Sequence, residues 1–125
     1  NYLPLEITKL KKLETLGLKS NYLGSIPDKL FEMKNLKKIK LDKNDIVIFP
    51  EKIFRLKKLE YLSISYNDIS ILKIENITSN NLSFLDCSNN RIKFVSENLK
   101  NLKNLTNLNL SYNSHCDSQR QSQLQ

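Results

Sequence analysis

The sequence predicts an α/β solenoid in which one short strand and one short helical turn recur along the chain. Three observations predict it. Leu13, Leu36, Leu59, Leu82 and Leu105 follow one another at a step of 23 residues. Three further columns keep the same step and phase: Leu16, Ile39, Leu62, Leu85 and Leu108; Leu18, Leu41, Ile64, Cys87 and Leu110; and Asn21, Asn44, Asn67, Asn90 and Asn113. Around Leu62-Ser63-Ile64 apolar residues alternate with polar ones, and in three later half-periods apolar pairs stand at i, i+3, so a strand-like half precedes a helical half.

The elements follow in chain order. Residues 1–12 read as the second half of a period, because Leu3-Pro4 aligns with Ile26-Pro27, Ile7 with Leu30 and Leu10 with Met33. The chain is therefore expected to be one part of a longer array. Around Leu62-Ser63-Ile64 the apolar residues alternate with polar ones, as in a strand with one buried face. Such strands, stacked about 4.8 Å apart, make a parallel sheet whose inward leucines form one continuous core. Each buried Leu or Ile contributes on the order of 1.5–3 kcal/mol, provided a neighbouring unit covers it.

The asparagine column has a structural reason. The chain bends sharply out of each strand and leaves backbone groups unpaired near the core. An Asn amide carries both donors and an acceptor, so it can satisfy them within and between units. On the return path, Leu30 with Met33, Ile53 with Leu56 and Leu99 with Leu102 predict short helical or 3₁₀ turns. The unit after Asn67 departs from this pattern. Asn76 and Ser79 occupy its two apolar positions, and Ile74 and Ile77 lie two residues earlier, so a shifted, looser segment is expected over residues 73–81. The aliphatic pattern stops at His115, which stands in the column of Leu23, Ile46, Ile69 and Ile92. The repeat domain is thus expected over residues 1–116, as a half repeat plus about five repeats. The Ser- and Gln-rich stretch 117–125 is expected to be a disordered polar tail.

Each period reads L-x-x-L-x-L-x-x-N-x-L, as in Leu59-Glu60-Tyr61-Leu62-Ser63-Ile64-Ser65-Tyr66-Asn67-Asp68-Ile69, and Ile26-Pro27 or Phe49-Pro50 follows in two units. This resembles the leucine-rich-repeat family from Leu3 to about Asn113. The resemblance implies a right-handed superhelix with a concave parallel sheet and a convex side of short helical turns. It also implies a protein-binding module. The 23-residue period with a Pro after the turn is similar to a subclass common in intracellular signalling scaffolds and in bacterial and protist repeat proteins.

Composition limits the function classes. No window approaches 18 uninterrupted apolar residues, so no membrane-spanning helix is expected. The net charge of +7 is read first as a solvated surface, which argues against nucleic acid and leaves an acidic protein partner open. Cys87 and Cys116 make neither a disulfide framework nor a zinc site. Cys87 stands in a core column, where a small apolar residue is the ordinary reading. Cys116 reads either as a reactive thiol or as a fusion-junction residue. His115, the one histidine, has no general-base or metal partners in sequence reach, and Gly17 and Gly24 cannot form a phosphate-cradling loop. No catalytic residue, cofactor, metal or small-molecule substrate is therefore expected.

The candidate partner-binding residues lie on the concave face. Its outward strand positions are Thr15 and Gly17, Lys38 and Lys40, Tyr61 and Ser63, Phe84 and Asp86, and Asn107 and Asn109; the next column is Lys19, Asp42, Ser65, Ser88 and Ser111. Most of these are expected to be free of packing duty. Tyr61 and Phe84 share a column in adjacent units, with Lys38, Lys40, Asp86 and Tyr66 around them, an aromatic centre with a charged rim. The competing reading is a cross-strand pair that only stabilises the sheet. A lysine ladder at Lys11-Lys12, Lys34, Lys57-Lys58 and Lys103 reads as a solubilising edge. Three functions remain: an intracellular, cytoplasmic signalling scaffold, favoured by the resemblance; an extracellular or surface ligand-sensing domain; and a regulatory segment of a larger enzyme. Sequons at Asn76, Asn81, Asn104 and Asn109 keep the second open.

Overall fold

A computed structural model describes residues 3–75 and 80–113. Five three-residue strands stack in parallel in the order β1 (Thr15–Gly17), β2 (Lys38–Lys40), β3 (Tyr61–Ser63), β5 (Phe84–Asp86) and β7 (Asn107–Asn109). Every pairing is offset by the 23-residue period: Leu16 faces Ile39, Ile39 faces Leu62, Leu62 faces Leu85 and Leu85 faces Leu108. The register is set by burial. A slip of one residue would turn the whole inward column to water. Leu16, Ile39, Leu62 and Leu85 are buried, and Leu108 is half-buried.

The return path is built from 3₁₀ helices at Leu5–Lys9, Asp28–Glu32, Glu51–Arg55 and Glu97–Asn101. Three of them follow Pro4, Pro27 and Pro50, and the fourth follows Ser96, whose hydroxyl accepts from the Asn98 N–H. Proline suits this place because its fixed φ leads into the turn and its missing N–H would have no partner there. Leu30, Met33, Ile53, Leu56, Leu99 and Leu102 all drive into the core, as their i, i+3 spacing predicts.

The unit after Asn67 differs as its sequence implies. Its convex path runs through Ile74, which is buried, and Glu75, with no helix over residues 73–75. The rest of the irregular segment, residues 76–79, lies outside the described residues, as do His115, Cys116 and the tail 117–125. Arg55 grips this stretch through two bonds to Glu75, at 3.1 and 3.0 Å. A second, two-stranded parallel sheet was not legible beforehand: β4 (Ile71–Leu72) pairs with β6 (Phe94–Val95) on the flank. There Ile71 pairs with Phe94 one period later.

The asparagine column ties the units together. The Asn67 oxygen accepts from the backbone N–H groups of Asn44, at 2.9 Å, and Ile46, at 3.0 Å. Its Nδ2 donates to the carbonyls of Leu41, Ile64 and Ser65. Asn44 and Asn90 repeat the pattern one period away on either side, and Asn113 caps the series with bonds to Ile92, Cys87 and Leu110. A second amide column runs along the edge where each strand begins. Asn35, Asn81 and Asn104 each donate from Nδ2 to a carbonyl 24 residues earlier, on Lys11, Lys57 and Asn80. Two of the sequon asparagines, Asn81 and Asn104, thus have a structural task.

Five residues one position after the strand-end column adopt left-handed backbone: Ser20, Lys43, Tyr66, Asn89 and Tyr112, with φ from 54 to 61°. The cause is a conflict between bending and bonding. The chain leaves the strand here, yet the N–H groups of Ser20, Lys43, Tyr66 and Asn89 still donate to the next unit, to Asp42, Ser65, Ser88 and Ser111. Only Asn89 has a side chain that favours this conformation; Tyr66 holds it at a cost of roughly 1–2 kcal/mol, offset by its bond to Ser88.

Candidate functional site

The concave face is the outward surface of the five-stranded sheet, so each side chain's place on it follows from the strand register. Lys38, Tyr61, Phe84 and Asn107 stand in one row across β2, β3, β5 and β7, and Lys40, Ser63, Asp86 and Asn109 stand in the next. The rings of Tyr61 and Phe84 stack in parallel, with centroids 4.1 Å apart and planes 2° apart. From the other side, the Lys38 ammonium lies 4.5 Å from the centroid of Tyr61. Tyr61 is thus enclosed between a cation on β2 and a ring on β5. Partial burial, with Asp42 and Asp86 nearby, holds its hydroxyl above the ordinary tyrosine pKa.

The structure gathers Lys38, Tyr61 and Phe84 into one cluster, each of them half-buried. Lys40 and Asp86 stand in one row but two strands apart, and they form no ion pair. Tyr66 is exposed at the turn beyond the strand. It is met by Lys43 of the preceding unit, whose ammonium lies 5.4 Å from its ring centroid. Lys43 escaped the sequence reading although it stands one period before Tyr66, and that step was the available signal.

One expectation needs correction. Ser63, Ser65 and Ser88 are not free for a partner: they are buried. Asp42 takes the hydroxyls of Ser63 and Ser65 and the Ser65 backbone N–H on a single carboxylate oxygen, with the Ser65 bonds at 2.6 and 2.8 Å. Asp86 accepts from the Ser88 N–H at 2.9 Å. Short serines sink between the longer residues of neighbouring strands, and the Asp42 carboxylate then satisfies the hydroxyls of Ser63 and Ser65. Lys19 and Ser111, at the two ends of that column, do remain exposed.

No group of three His, Cys, Asp or Glu able to hold a metal occurs among the described residues. Cys87 is fully buried in its core column, and burial, with Asp86 and Asp42 nearby, pushes its thiol far above the ordinary range. A protonated, enclosed thiol is a poor nucleophile. In a Cys116→Ser background, Cys87 is expected to react with a disulfide reagent such as DTNB only after denaturant unfolds the chain. Stoichiometric labelling of the folded protein within minutes would contradict the burial.

The leucine rich repeat family is matched twice, over residues 11–69 and over residues 81–102. This chain belongs to the leucine-rich-repeat family. No curated protein matches it. Among solved structures, a leucine-rich-repeat protein of Leptospira interrogans aligns over 98% of this chain and 32% of its own, with a TM-score of 0.80 and 28% identity. Internalin C2 of Listeria monocytogenes aligns over 98% of this chain and 53% of its own, with a TM-score of 0.74 and 26% identity. The repeat ectodomain of the Arabidopsis thaliana receptor kinase GASSHO1/SCHENGEN3, solved in complex with Casparian strip integrity factor 2, aligns over 93% of this chain and 18% of its own, at a TM-score of 0.53 and 26% identity. The chain therefore spans about a third to a half of the first two proteins. Leucine-rich-repeat domains are generally protein-interaction modules rather than catalysts, and no helix among the described residues is long and apolar enough to cross a membrane.

Proposed function

We propose that this leucine-rich-repeat domain is a non-catalytic module that binds a protein partner on its concave face, as a scaffold or regulator in intracellular signalling. The observation that carries the concave face is the Lys38–Tyr61–Phe84 cluster. It places two aromatic rings and a cation in one row at the middle of an outward sheet. A sheet face serving only as a wall gains little from holding a half-buried Phe there. The placement in intracellular signalling rests on the period and on the prolines that follow Ile26 and Phe49. The second reading, an extracellular sensing domain, draws on the plant ectodomain neighbour and on the exposed Asn81 and Asn104. Mass spectrometry of the native protein separates the two, since glycan on either asparagine would overturn the intracellular placement.

The binding test uses a partner copurified with the native protein and measured by calorimetry. Phe84→Ala is expected to weaken binding by about 2 kcal/mol or more, as for an interface anchor. Lys38→Ala and Lys40→Ala are expected mainly to slow association and to flatten its salt dependence. Lys34→Ala and Lys57→Ala, on the edge ladder, are the controls. If the ladder changes weaken binding and Phe84→Ala does not, the basic edge is the site.

A further inference from the structure

We propose that the concave face takes an extended partner segment laid across the strands, in which an acidic residue lies two positions from an aromatic or large aliphatic one. This inference rests on the concave-face reading and names the chemistry of its ligand. The charge distribution over the sheet is the first ground. Lys38 and Lys40 on β2, Lys19 just beyond β1 and Lys43 just beyond β2 crowd one end. None of these four forms an ion pair among the described residues. Asp42, in the same column as Lys19, already accepts three hydrogen bonds from Ser63 and Ser65. The opposite end, over β5 and β7, carries Asp86 among Ser88, Asn107, Asn109 and Ser111.

Spacing is the second ground. The Tyr61–Phe84 pair forms one apolar block centred between β3 and β5. With strands about 4.8 Å apart, that centre lies about 7 Å from the lysines of β2. Two residues of an extended chain advance roughly 6.6 to 6.8 Å, and side chains two apart point the same way. One residue of separation would turn the second side chain away from the sheet. Three would overshoot and do the same. A carboxylate at one position and an apolar side chain two away therefore reach Lys38–Lys40 and the ring pair together. Asp86 sets the direction, because a segment laid the other way would bring its carboxylate toward Asp86. Beyond the rings, the Asn107 amide offers a neutral donor and acceptor to the continuing backbone, and Asn109, whose oxygen accepts from Ser111, offers a neutral donor.

The test is selection of nine-residue random peptides displayed on phage against the folded chain, followed by anisotropy titration of the selected peptides. The expected result is enrichment of Asp or Glu two positions from Phe, Tyr, Trp or Leu. Changing the peptide's acid to its amide should weaken binding about tenfold, and Lys40→Gln in the protein should do the same. Moving the acid by one position should weaken it as much. Because the amide change is made in the peptide, a folding defect cannot imitate the effect. Selected peptides that depend on Phe84 but carry no acid at that spacing would overturn this inference and leave the concave-face reading standing. Peptides that depend on Lys34 or Lys57 and not on Phe84 would overturn both, as would a selection yielding no binder.

Discussion

Asn67→Ala is expected to lower the unfolding free energy by about 3 kcal/mol, although it removes only a small polar side chain. The side chain is buried and makes five backbone bonds in two units, to Asn44, Ile46, Leu41, Ile64 and Ser65. Alanine strands the N–H groups of Asn44 and Ile46, while the three carbonyls each keep a second donor, Asn44 Nδ2 on Leu41, Asn90 Nδ2 on Ile64 and the Lys43 N–H on Ser65. A buried polar group left unpaired costs roughly 1–3 kcal/mol, and the carbonyls lose least because each has a second lone pair. Two stranded N–H groups, with some relaxation, give the expected size. Asn21→Ala is the comparison. Asn21 is exposed, and its Nδ2 makes one local bond, to the Lys19 carbonyl, so its loss should cost less than about 1 kcal/mol. Urea denaturation of both variants checks this, and equal midpoints would show that the column does not hold the units together.

Leu62→Ala is expected to cost about 4 kcal/mol, near the upper part of the range for a leucine truncated in a packed core. Leu62 is fully enclosed, with Ile39 on one side and Leu85 on the other in the same inward row. Both neighbours are held by their own strands and cannot collapse into the gap, so the cavity term adds to the lost burial. Leu108→Ala, in the same column, is expected to cost about half as much or less, because Leu108 is only half-buried. The ratio between the two variants, read from denaturant midpoints at an unchanged m-value, is the informative quantity. A ratio near one would mean that unit-to-unit packing does not determine the stability of a given row.

Both predictions concern residues whose roles were readable before any coordinates. The reason is that a solenoid repeats its constraints. Whatever the chain needs at Leu62 or Asn67 it needs again 23 residues later, so the requirement is written five times. The aromatic pair was legible for the same reason: Tyr61 and Phe84 differ by one period, which puts them side by side on adjacent strands.

The sequence by itself thus determined the strand positions, their parallel register, the inward rows, the asparagine ladder and which residues share the concave face. Each of these follows from one period combined with the alternation of a strand. Only the tertiary structure decided how the outward residues use that face. It buried Ser63, Ser65 and Ser88 on that face and placed the Asp42 carboxylate where it satisfies two of those serines. It closed Tyr61 between Lys38 and Phe84, and it left Lys40 and Asp86 unpaired in one row. It also added the β4–β6 sheet, where Ile71 meets Phe94. The physical reason is that periodicity reports which side of the backbone a residue lies on. Side-chain length, rotamer and the choice among nearby polar partners are settled between neighbouring units, over distances of 3 to 5 Å that a column of letters does not encode.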